Sequence, residues 1–144
     1  MGQRLDAKKM VADFFEETAM LGISSGLPAY RLCWVLNKYF EIDFVCEPEM
    51  TNTFYRTEKE VFYFPVFQYE LPNSTNRYIL YKLKSNKVSL LPEISSFDYL
   101  WLIQTGFPEE DAKTIGNGLK KIPEVTISRY IEIDDLTNLK NLLV

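Results

Sequence analysis

The stretch from Val61 to Gln104 constrains the fold more than any other part of the chain. Within it "VFYFPVFQYE", "RYILYKLK", "KVSLL" and "FDYLWLIQ" follow one another as short runs rich in valine, isoleucine, leucine and aromatic residues, divided by Asn73–Asn76, by Ser85-Asn86 and by Pro92. Each run has strand length and strand composition, and the dividers are turn formers too short for a crossover connection. An antiparallel meander is the consequence. Pro65 cannot donate to a ladder, so it predicts an edge position or a bulge within the first run.

Helices flank this meander. Ala7, Met10, Val11, Phe14, Phe15 and Thr18 step by three and four as on an amphipathic helix, while Phe14 to Ser24, short and bulky, also reads as a strand. Ser24, Ser25 and Pro28 announce a helix that runs to about Tyr39, with Ala29, Leu32, Cys33, Leu36 and Phe40 on its apolar side. Ile42 to Val45 is a short extended piece, and Glu47 to Glu60 is a loop holding one short strand. Pro108 with Glu109, Glu110 and Asp111 opens a second helix that Lys120-Lys121 close, matching the helix dipole at both ends. Gly116 and Gly118 weaken that helix by about 1 kcal/mol each and predict a break or fraying near Asn117. Val125 to Ile133 is a further strand, and Asp134 to Leu143 a short terminal helix. The expected architecture is a single α+β domain over residues 1–144, a mostly antiparallel sheet of five or six strands with two or three helices packed on one face.

Composition narrows the chemistry. The 144 residues contain no histidine, which excludes Ser-His-Asp triads, Cys-His dyads and histidine-ligated metals within this chain. Cys33 and Cys46 form no Cys-x-x-Cys and read as reduced thiols. A net charge of -4 repels polyphosphate and anionic headgroups, so neither nucleic acid nor a membrane surface is an expected partner. No signal-peptide pattern and no spanning apolar run is evident, and a cytoplasmic location is expected. No metal or cofactor is expected. The nine tyrosines and ten phenylalanines exceed what a small core commonly uses. Seven of them, Phe54, Tyr55, Phe62, Tyr63, Phe64, Phe67 and Tyr69, crowd one hairpin region as core or as a dimer edge.

Two segments echo each other. Leu91-Pro92-Glu93-Ile94 aligns with Ile122-Pro123-Glu124-Val125 at an offset of 31, placing Tyr99-Leu100 over Tyr130-Ile131. By period-two alternation Asp98 shares a face with Leu100 and Leu102, as Arg129 does with Ile131 and Ile133, so neighbouring strands would pair Asp98 with Arg129. Leu91-Pro92-Glu93, three residues, then Phe97-Asp98-Tyr99 resembles the signature of the bacterial IPExxxVDY proteins, with leucine for isoleucine and phenylalanine for valine. Tyr30-Arg31-Leu32-Cys33-Trp34 with Asn37-Lys38, preceded by Gly22-Ile23-Ser24, resembles the same family's other recurrent block. The resemblance implies an extended Phe14–Ser24 and a small cytoplasmic protein, and it brings no active site with it.

Six side chains stand out as binding candidates: Tyr30, Arg31, Trp34, Glu93, Asp98 and Tyr99. Tyr30 and Trp34 lie one helical turn apart with Arg31 beside them, the residue types that dominate binding hot spots. The competing reading makes Trp34 a cap on the core and Arg31 the partner of an acid. Glu93 and Asp98 could form a general acid/base pair only in a cleft that pushes their pKa values apart. A carboxylate satisfying backbone N–H groups at a turn is the commoner arrangement. The expectation is a non-catalytic protein-interaction module, with a protein partner or a second copy. The alternatives are a small-molecule-binding domain and a carboxylate-dependent enzyme using Glu93 and Asp98.

Overall fold

The computed structural model describes residues 2–50, 52–55 and 61–144. Helix α1 (Gly2–Phe14) leads into β1 (Thr18–Ser24), and α2 (Ala29–Phe40) follows, then β2 (Val45–Cys46) and β3 (Asn52–Tyr55). The meander comprises β4 (Val61–Phe64), β5 (Val66–Glu70), β6 (Arg77–Lys82), β7 (Lys84–Ser85), β8 (Val88–Ser89) and β9 (Tyr99–Gln104). Helix α3 (Pro108–Leu119) and β10 (Ile127–Ile131) precede two short 3-10 turns, Ile133–Asp135 and Leu139–Leu142. Six strands form one antiparallel sheet in the order β10-β1-β9-β6-β5-β2, and β3-β4 and β7-β8 are separate hairpins. This is an α+β fold with a six-stranded antiparallel sheet and three helices.

Both faces of the sheet are covered. Alternate residues of β1 and β9, namely Ala19, Leu21, Ile23, Tyr99, Trp101 and Ile103, point toward the buried faces of α2 and α3, which supply Leu32, Leu36, Ala112, Ile115 and Leu119. Met20, Leu100 and Leu102 point the other way, against Phe62, Phe64, Leu91, Phe97, Leu136 and Leu142, with Val11 and Phe14 of α1 packed alongside. The helical and extended readings of the first twenty residues are thus both used. The helix ends at Phe14, Glu17 turns the chain at φ 48°, and the strand begins at Thr18.

Four expectations are corrected. Pro65 marks neither an edge nor a bulge: it is the joint at which the chain leaves the β3-β4 hairpin for the main sheet, where β5 lies between β6 and β2. Helix α3 does not break at Asn117, because Gly118 lets α2 approach it; a Cβ at Gly118 would stand 2.7 Å from Phe40 Cε1. The terminal segment is two 3-10 turns rather than an α-helix. Finally, β9 and β10 are not neighbours, since β1 lies between them. Asp98 therefore pairs with Lys84, Oδ1 to Nζ 3.1 Å, while the Arg129 guanidinium lies over the Phe97 ring at 5.1 Å. The predicted faces are right: Gly22 of β1 faces both Leu100 and Arg129, and a Cβ there would stand 2.8 Å from Phe97.

The two Pro-Glu segments are the lead-ins to the two strands that flank β1. Asp98 N–H donates to the Ile23 carbonyl at 2.9 Å, and Thr126 N–H to the Ser24 carbonyl at 2.8 Å. Leu100 and Arg129 share a partner in Gly22, so the spatial offset is 29 residues and the second lead-in reaches the sheet two residues sooner than the sequence echo implies.

Candidate functional site

Ser25 ties both lead-ins to the start of α2. Its N–H donates to Asp98 Oδ2 at 3.0 Å, its hydroxyl donates to the Glu124 carbonyl at 2.8 Å, and the same hydroxyl accepts from Leu27 N–H at 3.2 Å. Ser24 adds a bond to the Ser96 carbonyl at 2.8 Å. The Tyr99 hydroxyl, on a ring that is otherwise core, donates to the Leu27 carbonyl at 2.6 Å. Burial, the charge of Asp98 and nearby Cys33 push that phenol up to about 12, so it stays a donor at neutral pH. Pro28, at φ -65° and ψ 159°, then starts the helix. The orientation of α2 is accordingly set by hydrogen bonds from residues more than seventy positions downstream.

Glu93 performs a second fastening. Its Oε2 accepts from Thr137 N–H at 2.7 Å, from the Thr137 hydroxyl at 2.9 Å and from Asn138 N–H at 2.8 Å, and its Oε1 accepts from Asn138 Nδ2 at 3.1 Å. Burial alone would raise this carboxyl, but the donors on Glu93 itself, Asn138 and Thr137 outweigh it and bring the pKa down to about 2. The direction suits a carboxylate held ionised rather than a proton donor. Glu93 and Asp98 have disjoint partners, Thr137 and Asn138 for one and Ser25 and Lys84 for the other. The motif carboxylates are thus placed as fasteners of the fold.

Helix α2 turns its remaining side chains outward. Tyr30 is 71% exposed and Trp34 63%, and Arg31 between them is exposed with no ion-pair partner among the described residues. This reverses the reading of Trp34 as a core cap and Arg31 as the partner of an acid. Lys38 places its ammonium 5.0 Å from the Trp34 ring centroid, and Tyr39 is 46% exposed one turn further on. Beside them a groove of about 520 Å³ runs between α2 and the second Pro-Glu turn, lined by Trp34, Val35, Lys38, Lys121, Ile122 and Pro123. Of the hairpin aromatics, Phe62, Phe64 and Phe67 are core, and Tyr63 is exposed; Phe54 and Tyr55 have side chains outside the described residues.

The structure therefore divides the six candidates. Tyr30, Arg31 and Trp34 form one surface, whereas Asp98 and Tyr99 sit together at the fastening of α2 and Glu93 sits apart at the fastening of Thr137 and Asn138. Ser25, Thr137 and Asn138, the partners of the motif carboxylates, carry no sequence signal beyond being turn and cap formers. No group of three or more His, Cys, Asp and Glu residues suited to a metal ion occurs among the described residues, and no helix there is long and apolar enough to cross a membrane. Comparison of the chain with protein-family models, curated proteins and solved structures finds no match in any of the three.

Proposed function

We propose that this chain is a non-catalytic, cytoplasmic protein-interaction module of the IPExxxVDY type, and that the outer face of α2 is its recognition surface. One observation carries the reading: a tryptophan and a tyrosine one helical turn apart remain mostly exposed beside an arginine that has no ion-pair partner among the described residues. Leaving that much aromatic area in water is unfavourable by about 25 cal/mol per Å² unless something covers it. Tryptophan, tyrosine and arginine are also the residues that contribute most when an interface forms.

The charge of the face defines the partner. Arg31, Lys38 and Lys121 surround Trp34 in a chain whose net charge is -4, with Glu124 as the acid at the groove. A protein surface presenting an apolar side chain flanked by carboxylates complements this arrangement. The placement of the motif residues supports the non-catalytic part of the proposal, because each conspicuous carboxylate is occupied in holding the chain together.

The test is photo-crosslinking in the native cell from a reactive amino acid placed at Tyr30. A discrete adduct with another protein, lost when Arg31 is changed to Glu, is expected. An adduct with a second copy of this chain would make the module a homodimer, and equal labelling from Glu110 on α3 would overturn the assignment.

A further inference from the structure

The groove between α3 and the sheet edge formed by β10 has the construction of a strand-addition site, and we propose that it takes an extended acidic peptide as a seventh strand. This surface is distinct from the outer face of α2.

The register determines which backbone groups are free. Thr126 N–H donates to the Ser24 carbonyl and Asp98 N–H to the Ile23 carbonyl, so along β1 Ser24 turns its C=O toward β10 and Ile23 turns its C=O toward β9. Gly22 and Met20 of β1 consequently turn toward β10 and bond Arg129 and Ile131. Ser128 and Tyr130 lie between those positions, and their N–H and C=O groups point away from the sheet. Among the described residues no further strand pairs with β10, and Ile127 is 55% exposed there. Such an edge is a template for another extended chain.

The adjoining groove supplies side-chain selectivity. It holds about 300 Å³ between α3 and β10, with Leu21, Ala112 and Gly116 as its apolar floor. Gly116 leaves the floor open, since a Cβ there would have Leu21 as its neighbour only at 3.7 Å. Ser128 Oγ, at the groove wall, is buried from solvent with no hydrogen-bond partner among the described residues, a group that a ligand can satisfy. Lys113 and Lys120 stand on the α3 rim against Glu109, giving two cations to one acid. An aliphatic residue over the floor and acidic residues on either side of it match this lining, and a second copy of a chain with net charge -4 matches it less well.

The test uses a fluorescein-labelled octapeptide of alternating valine and aspartate, followed by fluorescence polarisation with the full chain. Saturable binding is expected. It should weaken by about tenfold or more in K113E/K120E, and it should be lost when alternate peptide amides are N-methylated, because main-chain hydrogen bonds carry strand addition. Ser128→Pro removes an outward donor while sparing the β1 ladder, and the folded variant should not bind. Equal binding of an alternating valine-lysine peptide, or of the N-methylated peptide, would overturn the proposal. So would sedimentation showing that the free chain is already paired through β10.

Discussion

Ser25 N–H and Asp98 Oδ2 lie 3.0 Å apart across seventy-three residues of sequence, and that bond joins the end of β1 to the start of β9 at the point where α2 begins. The conspicuous Asp98 of the motif thus acts on a buried serine that the sequence marked only as part of a helix start. Changing Ser25 to Ala keeps the N–H bond to Asp98 but strips the hydroxyl that serves Glu124 and Leu27. A part-buried carbonyl and amide without partners cost about 1–3 kcal/mol together, and chemical denaturation should show a loss of that size. The loss in Asp98→Ala should be similar, while Lys84→Ala should cost less than about 1 kcal/mol because that pair is partly exposed.

Glu93 should make stability depend on acid. Its folded pKa, near 2, lies below the ordinary 4.5, so its contribution is fully present above about pH 5 and is lost as pH falls from 4.5 toward 2. Urea unfolding of the parent and of Glu93→Gln should therefore differ by about 1–2 kcal/mol at pH 7 and converge near pH 2. A difference that stays constant across this range would show that the carboxylate charge is not what holds Thr137 and Asn138.

Three glycines separate packing from propensity. Gly22→Ala should destabilise by about 1–3 kcal/mol, since the new methyl would meet a Phe97 ring that is buried and backed by Arg129. Gly118→Ala should also destabilise, because Phe40, which packs edge-on against Trp101 at 5.3 Å, occupies the space. Gly116→Ala should instead stabilise by up to about 1 kcal/mol, as the helix gains a better former and the methyl makes an ordinary contact. Thermal melts of the three variants would test the signs.

Much of this fold was legible in the chain, and the failures share a cause. Period-two alternation assigned Asp98, Leu100 and Leu102 to one face and Arg129 and Ile131 to the same face, correctly, because alternation is local. It could not show that β1, some eighty residues before Asp98, would insert between the two strands. Pro65 was legible as an interruption but not as a change of sheet, which depends on where β3 and β6 lie. The weakness of α3 at Gly116 and Gly118 is real in isolation, and tertiary packing against Phe40 overrides it. For the candidate site, the spacing of Tyr30, Arg31 and Trp34 put them together on α2. The apolar side read from Leu32 and Leu36 is the buried one, and what the spacing left open was whether Trp34 would bend back to cap that core.

The two thiols should differ in reactivity. Cys33 is buried, and burial, with a smaller effect from Cys46, pushes its thiol up to about 12; Cys46 is exposed on β2. A thiol reagent at pH 8 should modify Cys46 rapidly and Cys33 only when the chain unfolds, giving one fast and one slow phase. Two equally fast phases would contradict the packing of α2 on the sheet.

The central claim is a division of labour, in which the motif carboxylates hold the chain together and the outer face of α2 does the recognising. Measuring stability and partner retention side by side in Trp34→Ala and Glu93→Ala tests it most directly. Trp34→Ala should melt within a few degrees of the parent and lose the crosslinked partner, whereas Glu93→Ala should melt lower and keep that partner at a temperature where it is folded. The reverse pattern, a Trp34 variant that unfolds or a folded Glu93 variant that no longer retains the partner, would contradict the account.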